Sequence, residues 1–427
     1  MGTIDAIIHQ HAEEVAFLWS QRIRAISAPH IRLADLVRLD RRLDAHFDGI
    51  RVNGHSAREI VHKNANAGDI GAVFAAAVLA LESVNSDIAF ILVTACKQSE
   101  LAHGLISGVG WCKYEPIKSI IQKLCGSDDP AERRIGIAGA AIHRQHPGPS
   151  LTRAFLSKVP SLLARTCKAV GELAAAEGRA GVQGLLTSAD PAVRYRAAWA
   201  GTLAFGDAAA LGILQRIAET GGRFSEEAAR LAARRLDPAR AATWWRQQLT
   251  VKPARLRAAI AAAGAAGDPA AVPWLIQQMA VPGLARRAGE ALSFITGVHI
   301  AYDKLEGKRP EGFESGPNDD PGDENVEMDP DDNLAWPDPG AVTKWWAKKS
   351  GEYANGTRYL IGKPMTIENL QRALRVGYQR QRAAAAIELA IRNPGQPLFE
   401  VRARGDRQME LLGLTKQTQR PRTGTTF

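Results

Sequence analysis

Features that would assign this chain of 427 residues to a familiar class are scarce. It has four cysteines and no CxxC pair, which argues against a disulfide framework or a common zinc site and predicts reduced thiols in the core. The longest uncharged apolar run, residues 70–81 (IGAVFAAAVLAL), is shorter than the roughly 20 residues of a membrane helix. We therefore predict a buried helix there and no membrane insertion. The cysteines are Cys96, Cys112, Cys125 and Cys167.

Targeting and catalytic signatures are also missing. The start, MGTIDAIIHQHAEEV, carries an acidic residue and no basic-then-apolar pattern, so we expect a cytoplasmic protein. There is no GxSxG, no GxxxxGK[ST] and no GxGxxG after a strand. His143 and His146 have the wrong spacing for a helical zinc pair, and His9 and His11 face different directions. We expect no catalytic residue, no metal and no cofactor.

Internal repetition is the strongest signal in the sequence. Prolines followed by an arginine-containing helix recur at separations of 30, 31, 62 and 29 residues, and Gly221 and Gly222 stand where the double gap predicts a further unit. Proline suits the first turn of a helix, and an aspartate before it is a good N-cap. Each of the six units therefore predicts two short helices. The recurring prolines are Pro130, Pro160, Pro191, Pro253 and Pro282.

We therefore predict an all-α fold, a HEAT-like α-solenoid of about 31-residue helical hairpins with an N-terminal helical cap and an acidic loop insert. Within the cap, two long amphipathic helices are predicted over residues 4–26 and 33–51. The regions in order are the cap, degenerate helical repeats, six HEAT-like repeats, an acidic Pro/Gly-rich loop, a C-terminal helical region and a basic tail. Their bounds are 1–65, 66–127, 128–300, 301–340, 341–412 and 413–427.

Charge is unevenly distributed. The whole chain carries +9, but residues 306–339 carry −10, which leaves +19 for the rest. The acidic segment cannot bury a core, and three interpretations fit it: a solvated loop, a loop that folds back onto the protein's own basic surface, or a peptide that binds a basic partner. An EF-hand order is absent, which argues against calcium. The carboxylates considered are Asp319, Asp320, Asp323, Glu324, Asp329, Asp331 and Asp332.

Two sets of residues are candidates for binding a partner. Arginines near the start of each proline-led helix would form a ladder if the units stack; they would either bind phosphates or carboxylates, or pair with the adjacent unit. Trp336 lies among prolines and would gain by docking into a groove, while Trp345 and Trp346, flanked by lysines, suit either a core or a binding surface. The arginines are Arg133, Arg134, Arg165, Arg194, Arg196, Arg255, Arg257, Arg286 and Arg287.

Four long stretches resemble a family of uncharacterised bacterial HEAT-repeat proteins, and the resemblance runs essentially end to end. They are EEVAFLWSQRIRAISAPHIRLADLVRLDRRLDAHFDGIRVNG, RRAGEALSFITG, PNDDPGDENVEMDPDDNLAWPDP and GYQRQRAAAAIELAIRNPGQPLFEVRARGDRQ. The family has no assigned catalytic residues that the resemblance could carry over to this chain. The resemblance implies an association, by gene neighbourhood, with type VI secretion components.

From these observations we expect a helical-repeat protein-interaction scaffold that is not an enzyme, fitting an adaptor, an accessory or an immunity protein for a type VI secretion effector. The alternative is a nucleic-acid-binding HEAT-like protein, either resembling a DNA glycosylase or without catalysis, because the chain outside the acidic segment is strongly basic. A protein partner is the leading expectation and nucleic acid the second.

Overall fold

The computed structural model describes residues 3–83, 87–98, 100–316 and 328–414. The chain is about 71% helical, and the predicted all-α class is confirmed. Among the described residues, no helix combines the length and the apolar character needed to cross a bilayer. The first eleven helices are α1 (Thr3–Ala25), α2 (Leu33–Val52), α3 (Gly54–Asn66), α4 (Ile70–Ser83), α5 (Asp87–Lys97), α6 (Leu101–Trp111), α7 (Tyr114–Gly126), α8 (Pro130–Ile142), α9 (Pro149–Arg153), α10 (Pro160–Leu173) and α11 (Arg179–Gly184).

The second half of the chain contains eleven more α-helices and one short hairpin in the described residues. The hairpin pairs β1 (Tyr359–Leu360) with β2 (Lys363–Pro364) in antiparallel register. The helices are α12 (Pro191–Phe205), α13 (Ala208–Thr220), α14 (Ser225–Arg235), α15 (Pro238–Trp244), α16 (Leu256–Ala266), α17 (Val272–Gln278), α18 (Pro282–Thr296), α19 (Pro339–Lys349), α20 (Ile367–Val376), α21 (Gln379–Arg392) and α22 (Gly405–Leu411).

The proline signal marks helix starts. Helices α8, α10, α12 and α18 begin at the recurring prolines, and α16 follows a 3-10 turn that begins at Pro253. Asp129 and Asp190 are N-caps: each carboxylate accepts hydrogen bonds from two backbone N–H groups of the first turn, at 2.7 to 3.1 Å. The predicted caps are therefore confirmed. At the unit with two glycines instead of proline, α14 begins at Ser225 without a side-chain cap.

Backbone contacts divide the chain into two compact units, one formed by Met1–Ala169 and Phe399–Phe427, the other by Val170–Leu398. Helix α10 contains the boundary. The return of the C-terminal segment to the first unit was not predicted, because periodicity along the chain carries no information about which distant segments meet. It rests on contacts between residues more than 260 positions apart.

The first unit packs around α4. Every residue of α4 from Gly71 to Leu81 is buried, as the apolar run predicted. Phe74 on this helix stacks near Trp19 and meets Phe47 and Trp111 edge-on. The backbones of α4 and α6 approach closely because glycine lies at their crossing: a Cβ on Gly104 would lie 2.4 Å from the carbonyl oxygen of Ile70.

Charged contacts attach the C-terminal segment within this first unit. Arg404 binds the carboxylate of Asp44 and lies over the ring of Trp111, 4.4 Å from its centroid. The buried carboxylate of Asp40 binds Arg22 and also accepts the backbone N–H of Gly405. The C-terminal segment is therefore attached by packing against Trp111, by an ion pair with Asp44 and by a hydrogen bond to Asp40.

His143 adds a neutral contact to the same attachment. Its Nε2 lies 2.8 Å from the carbonyl oxygen of Val109, and its Nδ1 lies 3.0 Å from an Arg407 guanidinium nitrogen. Burial lowers the pKa of His143 to about 4, so the ring is uncharged at neutral pH, Nε2 donates to the carbonyl and Nδ1 accepts from Arg407. Both ring nitrogens of His143 are therefore engaged in hydrogen bonds within the protein.

In the second unit, α12, α13, α14, α16 and α18 pack in succession. The hairpin covers the ends of two of them, since the N–H of Tyr359 donates to the carbonyl of Gly267 and that of Ile361 to the carbonyl of Phe294, both at 2.8 Å. Arg358 donates to carbonyls at the ends of α14 and α16 and binds the fully buried carboxylate of Glu388. The orphan carbonyls of these helix ends are thereby satisfied.

The C-terminal helical region differs from its prediction. The sequence LQRALRVGYQRQRAAAAIELAIR predicts one helix, but the structure has two, α20 and α21, separated at Gly377 and Tyr378. Both residues are extended, and the side chain of Gln381 accepts the N–H of Tyr378 at 3.0 Å, which starts a new helix. Side-chain capping thus overrides a continuous helical pattern. The short hairpin was not predicted either, because two-residue strands produce no alternating pattern.

The four cysteines are free thiols. Burial raises the pKa of Cys112 and of Cys167 to about 12, and that of Cys125 to about 11. These three thiols therefore stay protonated and unreactive at neutral pH.

The close approach of α4 and α6 gives a stability prediction. We expect Gly104→Ala to lower the free energy of unfolding by about 1 to 3 kcal/mol, because the added methyl must push the α4 backbone away. Gly126→Ala is the matched control, since its Cβ would meet nothing within 4 Å. Urea unfolding of the two variants checks this; equal stability would contradict the close packing.

Candidate carboxylate-binding site

Three arginines on two neighbouring helices hold the described end of the acidic segment. Arg257 lies on α16, and Arg286 and Arg287 lie on α18; we call these three the arginine clamp. Arg257 donates from both terminal nitrogens to the two carboxylate oxygens of Asp331, at 2.7 and 2.9 Å. The Nε of Arg287 lies 3.5 Å from the same carboxylate. Asp331 is only 4% exposed, whereas the side chain of Arg257 is 32% exposed, so it is the carboxylate of this bidentate pair that lies largely out of water.

Arg286 reads the backbone of the segment as well as a side chain. Its Nη2 binds the carboxylate of Asp329 at 2.5 Å, and its Nη1 donates to the carbonyl oxygen of Asp331 at 3.1 Å. The guanidinium carbon lies 4.5 Å from the ring centroid of Trp336 and 5.8 Å from that of Phe313. A planar cation therefore sits between an aromatic ring and two oxygens, an arrangement that lysine does not reproduce.

The two carboxylates reach the clamp together because residues 328–332 form a turn, which we call the acidic turn. The Oδ1 of Asp329 accepts the N–H of Asp331 at 2.9 Å, and its carbonyl accepts the N–H of Asp332 at 3.1 Å. Pro330 between them restricts the backbone. Of the interpretations left open for the acidic segment, folding back onto basic residues is the one found for Asp329 and Asp331, whereas Asp332 is exposed.

The base of the acidic loop is closed by backbone pairing. Glu306 and Pro337 form an isolated antiparallel bridge, in which Gly307 donates to the carbonyl of Trp336 and Asp338 donates to that of Leu305, both at 2.8 Å. We call this pairing the neck. The neck therefore ties the two ends of the acidic loop together; residues 317–327 lie outside the described part of the chain.

Two glutamates hold the clamp from beneath. Glu226 on α14 binds Arg257 at 2.9 Å, Arg230 at 3.0 Å and also Arg287. Glu290 on α18 binds Arg287 at 2.5 Å and Arg380 of α21 at 2.8 Å. The three arginines of the clamp, together with Arg230 and Arg380, thus face four carboxylates. Two of the four belong to the acidic turn.

The electrostatics follow from this crowding. Burial alone would raise the pKa of Glu226, but Arg287, Arg230 and Arg257 outweigh it and lower the pKa to about 2. Burial alone would also raise the pKa of Asp329, but the hydrogen bond and the charge of Arg286 outweigh burial and lower this pKa. The hydrogen bonds to Asp331 raise the pKa of Arg257. The carboxyl groups of Glu226 and Asp329 are therefore ionised at neutral pH.

Three other candidate arginines donate hydrogen bonds to nearby carbonyl oxygens, and the guanidinium of Arg133 also lies 3.8 Å from the carboxylate of Asp128. Arg133 donates to Ser127 at 2.8 Å, Arg194 to Ser188 at 2.7 Å and Arg255 to Gln248 at 3.0 Å, which are carbonyls six or seven residues earlier. Each bond ties the start of a proline-led helix to the preceding turn. This recurrence supports the structural interpretation of the ladder at these positions.

Three arginines remain of the predicted set. Arg165 donates to the carbonyl oxygen of Ala138 at 3.3 Å. Arg134 is half-buried, and burial lowers its pKa. Arg196 lies over the ring of Tyr195, 5.0 Å from its centroid. Of the predicted set, the structure brings Arg257, Arg286 and Arg287 onto a shared ligand, Asp331.

The candidate tryptophans separate in the same way. Trp336 belongs to the site through its contact with Arg286 and packs edge-on against Phe313 at 5.2 Å. Trp345 and Trp346 are half-buried. The ring centroid of Trp346 lies 6.1 Å from that of Trp345 and 5.3 Å from that of Tyr353, so the pair forms part of an aromatic cluster.

Four members of the site were missed in the sequence: Glu226, Arg230, Glu290 and Arg380. A signal exists for the first two, since Glu226 and Arg230 have the i, i+4 spacing of a helical ion pair. Glu226 also lies in the first turn of α14, the helix of the one unit in which glycines replace the proline. Glu290 and Arg380 are 90 residues apart, and nothing local connects them.

The calcium interpretation gains nothing from the structure. Asp319, Asp320, Asp323 and Glu324 lie outside the described residues, as does nearly all of the basic tail. In the part of the chain that is described, no three His, Cys, Asp or Glu side chains group as metal ligands. His11 instead lies 3.1 Å from His46 through their Nδ1 atoms.

Comparison with known proteins adds little. No family model and no curated protein matches this chain. A crystal structure of an engineered protein is similar over 92% of this chain and 100% of its own, at 14% identity and a TM-score of 0.32. At that TM-score the likeness supports no conclusion about fold or function.

The ionisation of Glu226 gives a pH prediction. Its folded pKa of about 2 lies below the ordinary 4.5, so the stability it contributes is complete above about pH 4.5 and is lost as the pH falls toward 2. We expect Glu226→Gln to be less stable than the wild type at neutral pH by up to about 3 kcal/mol, and this difference to shrink in acid. Urea titrations across this range measure it, with the exposed Glu368→Gln as control. A pH-independent difference would contradict the pKa.

Proposed function

We propose that this protein is a helical-repeat interaction scaffold, a HEAT-like solenoid in the cytoplasm that binds acidic residues of a protein partner. The observation that carries the proposal is the arginine clamp, which grips Asp329 and Asp331 of its own chain. A surface that binds a peptide carboxylate and a peptide carbonyl together is suited to a protein segment. The succession of proline-led helices supports the repeat architecture.

The clamp supports protein binding better than nucleic-acid binding. A protein that follows a phosphate backbone needs a track of arginines free to reach it. Along the proposed ladder, Arg133, Arg194 and Arg255 instead donate to carbonyls of their own chain. The nucleic-acid alternative rests on the charge of +19 outside the acidic segment, and net charge alone does not define a groove.

The resemblance to bacterial HEAT-repeat proteins suggests which partner to test first. Members of that family are associated by gene neighbourhood with type VI secretion components. An effector or spike protein of such a system is therefore the partner class we propose, with this chain as adaptor, accessory or immunity protein. No catalytic step is part of this proposal.

Affinity capture from native cells tests the proposal. The full chain is compared with an Arg257→Gln/Arg286→Gln variant and with Arg372→Gln/Arg375→Gln, which removes the same charge from exposed positions of α20. We expect a defined protein to be enriched by the wild type and the control, and reduced at least tenfold with the clamp variant. Circular dichroism and thermal melting establish that all three proteins are folded.

Two outcomes would overturn the proposal. One is capture that yields no partner above background with any variant. The other is recovery of nuclease-sensitive material alone, lost steeply as salt rises from low to physiological concentration, which would favour the nucleic-acid alternative.

A further inference from the structure

We propose that the arginine clamp recognises an Asp-x-Asp segment of a partner protein, and that Asp329 and Asp331 are an internal ligand which such a segment must displace. This inference rests on the proposed function and deepens it, because it names the site, the chemistry of the partner and the contact that competes with it.

Two of the three clamp arginines, Arg257 and Arg287, are held in place by glutamates outside the acidic turn. Glu226 fixes Arg257 through its Nε, so both terminal nitrogens of Arg257 point away toward Asp331. Arg287 is held by Glu226 and Glu290. Each of these contacts is made within α14, α16 and α18, without the acidic turn. A ligand therefore meets two guanidinium groups, those of Arg257 and Arg287, that are already oriented, which lowers the entropy cost of binding.

The contacts specify a peptide rather than a free anion. Two carboxylates are bound at positions two apart, and Arg286 adds a hydrogen bond to the carbonyl of the second aspartate. A phosphate ion offers no second carboxylate and no peptide carbonyl at that spacing. The segment Asp-Pro-Asp of this chain shows the geometry that a partner would reproduce.

The acidic turn can leave without unfolding its neighbours. The neck joins residues 305–307 to 336–338 by backbone hydrogen bonds, so the loop between them is closed at its base. Asp338 separately caps α19 by accepting the N–H of Ala341 at 2.9 Å. Release of Asp329 and Asp331 therefore breaks polar contacts with the clamp and leaves the ends of α18 and α19 in place.

Release also changes the charge of the surface. With the turn bound, the arginines of this network face the carboxylates of Asp329 and Asp331 in addition to those of Glu226 and Glu290, so release of the turn removes two of these four negative charges. The uncovered clamp carries an excess of positive charge that attracts an acidic segment. The bound turn removes that attraction, which keeps the site closed to weakly matching peptides.

Peptide binding to single-residue variants tests this inference. The probe is a fluorescent peptide of residues 328–338, MDPDDNLAWPD, measured by anisotropy against the full-length protein. Asp331→Asn removes the charge that Arg257 binds in a bidentate manner, and it leaves every arginine of the clamp unchanged. Asp332→Asn is the matched control, because it removes the same charge from the adjacent, exposed residue. A second peptide carries Asn in place of Asp329 and Asp331.

We expect Asp331→Asn to bind the probe about tenfold or more tightly than the wild type, since the internal ligand acts at a local concentration near the millimolar range. Asp332→Asn should bind like the wild type. Adding Arg257→Gln to Asp331→Asn should abolish binding, and the Asn peptide should not bind. If Asp331→Asn does not fold, replacing residues 310–335 by a short Gly/Ser linker across the neck provides the same comparison.

Equal affinity of wild type and both release variants would overturn the inference, as would tight binding that survives loss of Arg257. Clamp-dependent binding of a single-stranded DNA oligonucleotide in place of the peptide would assign the site to another class of ligand. A clamp-dependent native partner without any effect of Asp331→Asn would leave the scaffold function standing and reject the internal ligand. Probe binding as expected, but without capture of a native partner, would support the internal ligand and reject the scaffold function.

Discussion

The matching of buried arginines by oxygen atoms is the constraint on which this structure depends. A guanidinium group removed from water must be paired, because it cannot lose its proton and its desolvation is expensive. Arg22, Arg234, Arg286 and Arg287 are all less than 9% exposed, and each binds a carboxylate. The positions of those carboxylates therefore decide which distant segments must meet.

The same requirement is met in two ways along the proline-led helices. Arg133, Arg194 and Arg255 use carbonyls of the preceding turn, so each pairing is local and ties neighbouring helices together. Arg257 and Arg286 instead use carboxylates that lie 74 and 43 residues later in the chain. A local partner makes a structural contact, whereas a partner on a loop makes a contact that a different acidic segment is able to replace. That difference separates the proposed binding site from the rest of the ladder.

The elements predicted well from the sequence are those fixed by local chemistry. Pro130 and Pro191 with their preceding aspartates specify helix starts through capping, and residues 70–81 specify a buried helix through their composition. The break at Gly377 was missed because one side-chain cap outweighs a continuous pattern. The partners of the clamp were missed because periodicity does not encode ion pairs between distant helices. Of the candidate site, the sequence indicated Arg257, Arg286, Arg287 and Trp336, but not Glu226 or Glu290 beneath them.

The central claim, that the clamp binds the acidic turn directly, is tested by a double-mutant cycle between Arg257 and Asp331. Unfolding in urea of the wild type, Arg257→Ala, Asp331→Ala and the double variant yields the coupling free energy of the pair. For a bidentate pair whose carboxylate is buried we expect a favourable coupling of about 1.5 to 3 kcal/mol. A coupling near zero, as in exposed ion pairs, would contradict the account.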